Sequence, residues 1–292
     1  MASRSPRRRL VACLLNVSEA RRKEVVENVA KAALCNAEGI QREETTVLNI
    51  FNDPDYNRSV ITIVASINSI RDAALSACQK ACALIDMHTH AGVHPCMGAV
   101  DLVPFYPLGE ELWLTDSQRQ SAAPAPSCSA GLTPPYSEAW PRGGRRWAGV
   151  GASTYVMNCN VTIDTQDITT GRSIATAIRE STPGGLPGVQ VLALPHEGAV
   201  ELACNVESVK GDPPGHPMDE PWPSFIVDGQ PYCHAPASLI TARVAELARR
   251  RGIGVKGTAL VGFTPRECKD LAEIALSQGI GEFWKEQRRI RM

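Results

Sequence analysis

The pattern of apolar and polar positions switches between a strand period and a helix period, and it does so in the same order twice. LVACLLN (10–16) is a short, nearly continuous apolar run, consistent with a buried strand. Ser18 follows at a helix N-cap position, with Glu19 in the first turn, where negative charge suits the helix dipole. Val26, Val29, Ala30, Ala33 and Leu34 recur at helical spacing and predict its buried stripe. TTVLNIF (45–51) and RSVITIVAS (58–66) are rich in β-branched residues and predict strands, joined by the turn-forming NDPDYN. A second helix from about Asn68 carries Ile70, Ala74, Ala77, Cys78, Ala81 and Ile85 on one side, mostly small side chains that let a helix lie close on a sheet. AVDLVPF (99–105) predicts the next strand.

From 109 to 148 both periods vanish. Pro124, Pro126, Pro134, Pro135 and Pro141 stand among Ser, Ala, Gly and Arg. Such a composition buries too little apolar surface to offset the entropy of ordering, and predicts a flexible linker. STYVMNCNVTI (153–163) resumes the strand pattern, and a helix over 167–180 is lined by Ile174, Ala175 and Ile178. VQVLALP and AVELACNVES predict a hairpin around His196, Glu197 and Gly198. GDPPGHPMDEPWP, with His216, predicts a surface loop; a helix over 236–250 and a strand over 254–262 follow. A last helix is expected to be capped by Thr264 and stopped at Gly279. Two β–α–β–β–α–β units predict an α+β protein of two ferredoxin-like lobes, 10–108 and 149–280, with helices covering one face of each sheet.

Composition narrows the function classes. The chain has 292 residues, 43% of them hydrophobic, which suffices for two ordinary domains. A net charge of −1 provides no global field toward nucleic acid or an acidic membrane. No apolar run approaches the roughly 20 residues that a membrane helix requires. Ten cysteines without a CxxC pair predict reduced, partly buried thiols in a cytoplasmic protein. Cys78 and Cys82 lack ligating neighbours at matching spacing and are assigned to core packing. The basic start MASRSPRRRL, interrupted by Pro6, leaves no room for an amphipathic presequence and predicts a frayed tail.

The chemistry concentrates in LIDMHTHAGVHPCMGAVDLVPF (84–105), where His88, His90 and His94 fall within seven residues. Gly92, Pro95 and Gly98 break any regular element there, so the histidines sit on a helix-to-strand loop, a common place for functional groups. Taken singly, each would ordinarily be a solvated surface residue. Together they point to proton transfer or metal binding, because imidazole titrates near neutrality. H-x-H-x3-H can supply three metal ligands, but Gly92 and Pro95 leave the rings unaligned and no nearby carboxylate motif completes such a site.

LLNVSEARRKEVVENV, NRSVITIVAS and LIDMHTHAGVHPCMGAVDLVPFYPL resemble the formiminotransferase domain of formimidoyltransferase-cyclodeaminase, and especially relatives without the cyclodeaminase part. The run from STYVMNCNVTID to LVGFTP is similar to that domain's C-terminal subdomain. The resemblance implies N- and C-subdomain lobes, the first truncated, because 109–148 replaces a helix, a strand and a folate-contacting segment. It implies a cytoplasmic, homodimeric enzyme of one-carbon metabolism and histidine catabolism. That enzyme moves a formimino group from N-formimidoylglutamate to tetrahydrofolate, its co-substrate, without a metal, a nucleic acid or a membrane.

The family's HPxMG motif, here HPCMG, implies that His94 is catalytic. A folate nitrogen attacks the amidine carbon and the glutamate nitrogen leaves, so one proton is removed and one delivered, which a single imidazole can do. His90 is similar to a second family histidine, and Asn57 and Arg58 to an Asn-Arg pair. Both substrates carry carboxylates, so Arg58 is either a bidentate clamp or half of a surface salt bridge. GGRRWAGVGAS resembles the folate-side loop, which puts Gly149 and Gly151 beside the folate. Cys96 stands where the family carries arginine, and Asp53 and Asp55 stand in for acidic residues after the second strand. Cys96 and the 109–148 stretch motivate a second reading, a non-catalytic folate-binding or scaffolding relative.

Overall fold

A computed structural model describes residues 9–109, 148–211 and 221–290. Nearly all of the predicted linker, the basic tail and His216 lie outside the described residues. The described chain divides into two compact units, one of residues 9–106, 148–153 and 271–290, the other of residues 107–109, 154–211 and 221–270. The architecture is α+β.

The first unit runs β1 (Leu10–Val17), α1 (Lys23–Leu34), β2 (Thr45–Asp53), β3 (Arg58–Ser66), α2 (Ile70–Leu84), β4 (Leu102–Pro107) and β5 (Gly149–Ala152). Its sheet has the order β2-β3-β1-β4-β5. The apolar run of β1 earns the central place, buried at every position but Asn16. It pairs antiparallel with β3 from Leu10↔Ser66 to Val17↔Ser59. The predicted stripe of α1 is buried, and the alanines of α2 let the two helices pack together over the sheet. The outer edge of β2 is covered, as sheet edges ordinarily must be: Val47 N–H donates to Gly281 O (2.8 Å) and Thr46 Oγ1 to Ile280 O (2.8 Å).

The expected cap at Ser18 is corrected. α1 starts only at Lys23, and the Ser18 hydroxyl donates instead to Gly98 O (2.6 Å) while its N–H donates to Ala99 O (3.0 Å). Pairing of β1 with the segment before β4, marked by the bridge Val17↔Val100, captures Ser18 before the helix begins. Glu19 organises the turn instead, accepting the N–H groups of Arg21 and Arg22 at 3.0 Å each.

The second unit runs β6 (Val156–Ile163), α3 (Ile168–Ile178), β7 (Val189–His196), β8 (Ala199–Glu207), β9 (Val209–Lys210), β10 (Ser224–Val227), β11 (Gln230–Cys233), α4 (Ala237–Arg249) and β12 (Val255–Leu260). Its main sheet has the order β12-β6-β8-β7, and β10-β11-β9 form a small separate sheet. β6 alternates strictly: Met157, Cys159, Val161 and Ile163 are buried, while Asn158, Asn160 and Thr162 are half-buried on the other face. α5 (Pro265–Ser277) and α6 (Phe283–Ile290) close the chain, and none of the helices among the described residues is long and apolar enough to cross a membrane.

The predicted cap of α5 is present in full. Glu267 N–H donates to Thr264 Oγ1 (3.3 Å), and the Glu267 carboxylate accepts from Thr264 N and Oγ1 (both 2.9 Å), a reciprocal capping box. Gly279 follows in the left-handed region at φ 68, where glycine is at home. Thr264→Ala is expected to lower the unfolding free energy by about 1 kcal/mol, read by urea denaturation.

His234 is fully buried in the second unit, stacked on Phe225 at 5.4 Å. Its Nε2–H donates to Tyr155 O (2.7 Å), and Nδ1 has no hydrogen-bond partner among the described residues. Burial, which penalises the imidazolium, holds its pKa below the ordinary 6.5. The unfolded chain therefore takes up this proton first. The stabilisation is complete above about 6.5 and declines as pH falls through that value toward the lower folded one. His90 and His94 are shifted in the same direction. The thermal midpoint should drop between pH 7 and pH 5, and His234→Phe should show a shallower drop from a lower starting point.

Candidate active site

The site forms at one end of the five-stranded sheet, as the registers dictate. Asp53 pairs with Arg58 at the mouth of the β2–β3 hairpin, Val17 lies opposite Ser59 and Val100, and Leu102 lies beside Gly149. The hairpin tip is tightly built. Tyr56 N–H donates to Asp53 Oδ1 (2.9 Å). Asn57 adopts a positive φ of 48, which asparagine tolerates better than most residues, and its Oδ1 accepts the Ala20 N–H (3.0 Å).

The histidine loop lies on this hairpin. Gly92 makes that possible, since a Cβ there would meet Tyr56 O at 2.2 Å. The His94 ring stands edge-on to Tyr56, with centroids 5.3 Å apart. Its Nδ1 lies 2.7 Å from Pro95 O. A carbonyl only accepts, so Nδ1 carries the proton and Nε2 is left as the basic nitrogen. Burial, and after it the Arg58 charge, hold its pKa below the ordinary value, which favours the neutral base at physiological pH.

His90 faces Ser18 O (3.1 Å) and Asn57 Nδ2 (3.3 Å) with the same nitrogen, Nδ1. One nitrogen cannot donate to the first and accept from the second. The shorter contact assigns the proton to Nδ1, directed at the carbonyl. Nε2 of His90 is buried without a hydrogen-bond partner among the described residues. His88 is exposed, on an Asx turn in which its N–H donates to Asp86 Oδ1 (2.9 Å). Among the described residues the three histidines do not bring ligand atoms to a common point.

Arg58 corrects the surface salt bridge expectation. Its Nη1 pairs with Asp101 Oδ2, with side chains only 11% and 5% exposed, and its Nη2 donates to Asn16 Oδ1 (2.9 Å). Asp101 Oδ1 in turn accepts the Met97 N–H (2.7 Å) of the HPCMG loop. Sequence reasoning missed Asp101, because a single acid in an apolar strand pattern reads as one outward-facing side chain.

Residues 10–134 match the formiminotransferase domain, N-terminal subdomain. That match takes in the histidine loop. Over 245 residues, 70% of this chain and 78% of the relative, it is 29% identical to a glutamate formimidoyltransferase of Thermoplasma acidophilum. It is 36% identical over 99 residues to the formimidoyltransferase-cyclodeaminase of Sus scrofa, covering 17% of that protein. A glutamate formimidoyltransferase of Streptococcus pyogenes serotype M1 is 36% identical over 100 residues, 31% of its length. The matched stretch thus spans most of the Thermoplasma acidophilum relative but under a third of the other two.

At this end of the sheet the structure brings His90, His94, Asn57 and Arg58, inside that match, together with Gly149, which lies beyond it. Gly149 N–H donates to Asp101 O (2.8 Å), and a Cβ there would meet Leu102 Cδ2 at 2.9 Å and Met97 Cε at 3.2 Å. Gly151 lies two residues along β5, exposed, with nothing within 4 Å of where a Cβ would stand. Cys96 is half-buried, and burial raises its thiol pKa, so it contributes no charge to the loop at neutral pH.

Proposed function

We propose that this chain is a glutamate formimidoyltransferase-type enzyme, cytoplasmic and homodimeric, transferring a formimino group from N-formimidoylglutamate to tetrahydrofolate with His94 as general acid and base. The observation that carries this is the His94 ring itself, half-buried on the formiminotransferase loop with Nδ1 tied to Pro95 O and Nε2 left basic. In the first step the folate nitrogen bonds to the carbon of the amidinium, the C=N π pair moves onto its terminal nitrogen, and Nε2 takes the proton that the folate nitrogen sheds. In the second, the C=N bond re-forms from that pair as the bond from carbon to the glutamate nitrogen breaks, and Nε2–H returns the proton to the departing glutamate nitrogen. The imidazole ends as it began.

Asn57 and His90 stand on the same loop and hairpin as His94, and the open space where a Cβ of Gly151 would stand lets a flat ring approach the backbone of β5 there, whereas Leu102 and Met97 fill the corresponding space at Gly149. The sheet orders β2-β3-β1-β4 and β12-β6-β8-β7 support reading both units as ferredoxin-like lobes. A second reading, a folate-binding protein without turnover, is favoured by Cys96, a neutral thiol where the family pattern has a cation. Equilibrium titration with tetrahydrofolate, run beside consumption of N-formimidoylglutamate, separates the two. Binding with turnover supports the first reading, and binding without it supports the second.

A further inference from the structure

The loop from His94 to Val100 carries Pro95 and Gly98 and has no regular element to hold it. Its position depends on side-chain ties. Ser18 fastens Gly98 and Ala99. The tie nearest His94 is made by Asp101, every hydrogen-bonding group of which is engaged. Its N–H donates to Asn16 O (2.9 Å), its carbonyl accepts the Gly149 N–H (2.8 Å), Oδ1 accepts the Met97 N–H (2.7 Å) and Oδ2 meets Arg58. One residue therefore joins β1, β3, β5 and the loop.

We infer that Asp101 is a positioning residue for His94, and that Arg58 acts through it rather than as a substrate clamp. The inference rests on the acid–base reading of His94. With Nη1 on Asp101 and Nη2 on Asn16, both terminal nitrogens of the guanidinium already have protein acceptors, in place of the paired oxygens of a substrate carboxylate. What it does instead is neutralise the carboxylate that holds Met97, and set a positive charge behind His94. The charged and ring groups that act on His94 come from each neighbouring element: Arg58 from β3, Asp53 from β2, Asp101 from the entrance to β4, and the Tyr56 ring from the hairpin.

The test uses the pH profile of kcat/KM in three variants of the full chain. In Asp101→Asn the amide oxygen still accepts from Met97 N–H, but the Arg58 charge loses its counterion, so the acidic limb set by His94 moves to lower pH. In Arg58→Gln the positive charge is gone and the limb moves to higher pH. The kcat is expected to fall about 10- to 100-fold in each, as for small displacements of a catalytic group, with KM for N-formimidoylglutamate changed less than threefold. The double variant Asp101→Asn/Arg58→Gln buries no unbalanced charge. It folds even where a single variant does not, and its limb returns toward that of the unaltered protein.

Should the unaltered chain show no transfer, the His94 ring is titrated by NMR in the same proteins, so this inference stands or falls separately from the proposed activity. Limbs or titrations that do not move, or that move in the same direction in both single variants, overturn it. So does an Arg58→Gln variant whose only defect is a raised KM for N-formimidoylglutamate, the signature of a clamp.

Discussion

Replacing His94 with alanine is expected to lower formimino transfer by about 10²–10⁴-fold, the usual contribution of a positioned general acid–base group. The fold should survive, because the ring is only half-buried and its contacts are local, the Pro95 carbonyl and the edge of Tyr56. The loss should fall on kcat, with tetrahydrofolate binding nearly unchanged, since in the proposed mechanism the imidazole acts on protons in flight rather than on the bound folate. His94→Gln should be as inactive as the alanine variant: it keeps a polar group near Nε2 but cannot take up a proton at neutral pH. A loss below tenfold in either variant, measured under saturating substrates, would remove His94 from the mechanism.

The second large effect is expected at Gly92, which the proposed chemistry does not touch. An alanine Cβ would stand 2.2 Å from Tyr56 O and 2.9 Å from Tyr56 C, both backbone atoms. The hairpin has little freedom to give way, because Asp53 holds Tyr56 N–H and Asn57 is fastened to Ala20 N–H. The histidine loop must lift instead, carrying His90 and His94 with it. Gly92→Ala should cost about 1–3 kcal/mol of stability, the usual range for overpacking, and roughly 100-fold in kcat through misplacement of His94. Gly254→Ala is the control: nothing lies within 4 Å of its Cβ position, so its stability should stay within about 0.5 kcal/mol of the unaltered protein. Wild-type kcat in a folded Gly92→Ala variant would contradict the packing described.

Elements with a long, clean period were legible in the sequence, because one contiguous surface had to be buried. The stripe of α1 and the alternation of β6 are instances. The capping box at Thr264 was legible too, since all of its atoms lie within four residues. Ser18 was misread for the opposite reason: a sound local cap signal lost to a partner 80 positions away, Gly98. β5 escaped notice because GVGA has little strand propensity of its own and exists through parallel pairing with β4. The β10–β11 hairpin did carry a signal, Asp228-Gly229 with both φ angles positive, but its four-residue strands follow a proline-rich run that masks them.

At the site, the spacing of the histidines pointed to the loop, and the resemblance of HPCMG to a family motif singled out His94. Its tautomer depends on where the Pro95 carbonyl turns, which no spacing reveals. Arg58 and Asp101 lie 43 positions apart, so their pairing, and with it the support of the loop, appears only once β1, β3 and β4 are assembled.

The central claim is tested most directly by mixing the purified full chain with N-formimidoylglutamate and tetrahydrofolate and following formimino-tetrahydrofolate as it forms, with His94→Ala in parallel. Product that requires both substrates and disappears with the imidazole is the predicted result. Absence of product from the unaltered chain, or equal product from the alanine variant, would contradict the account.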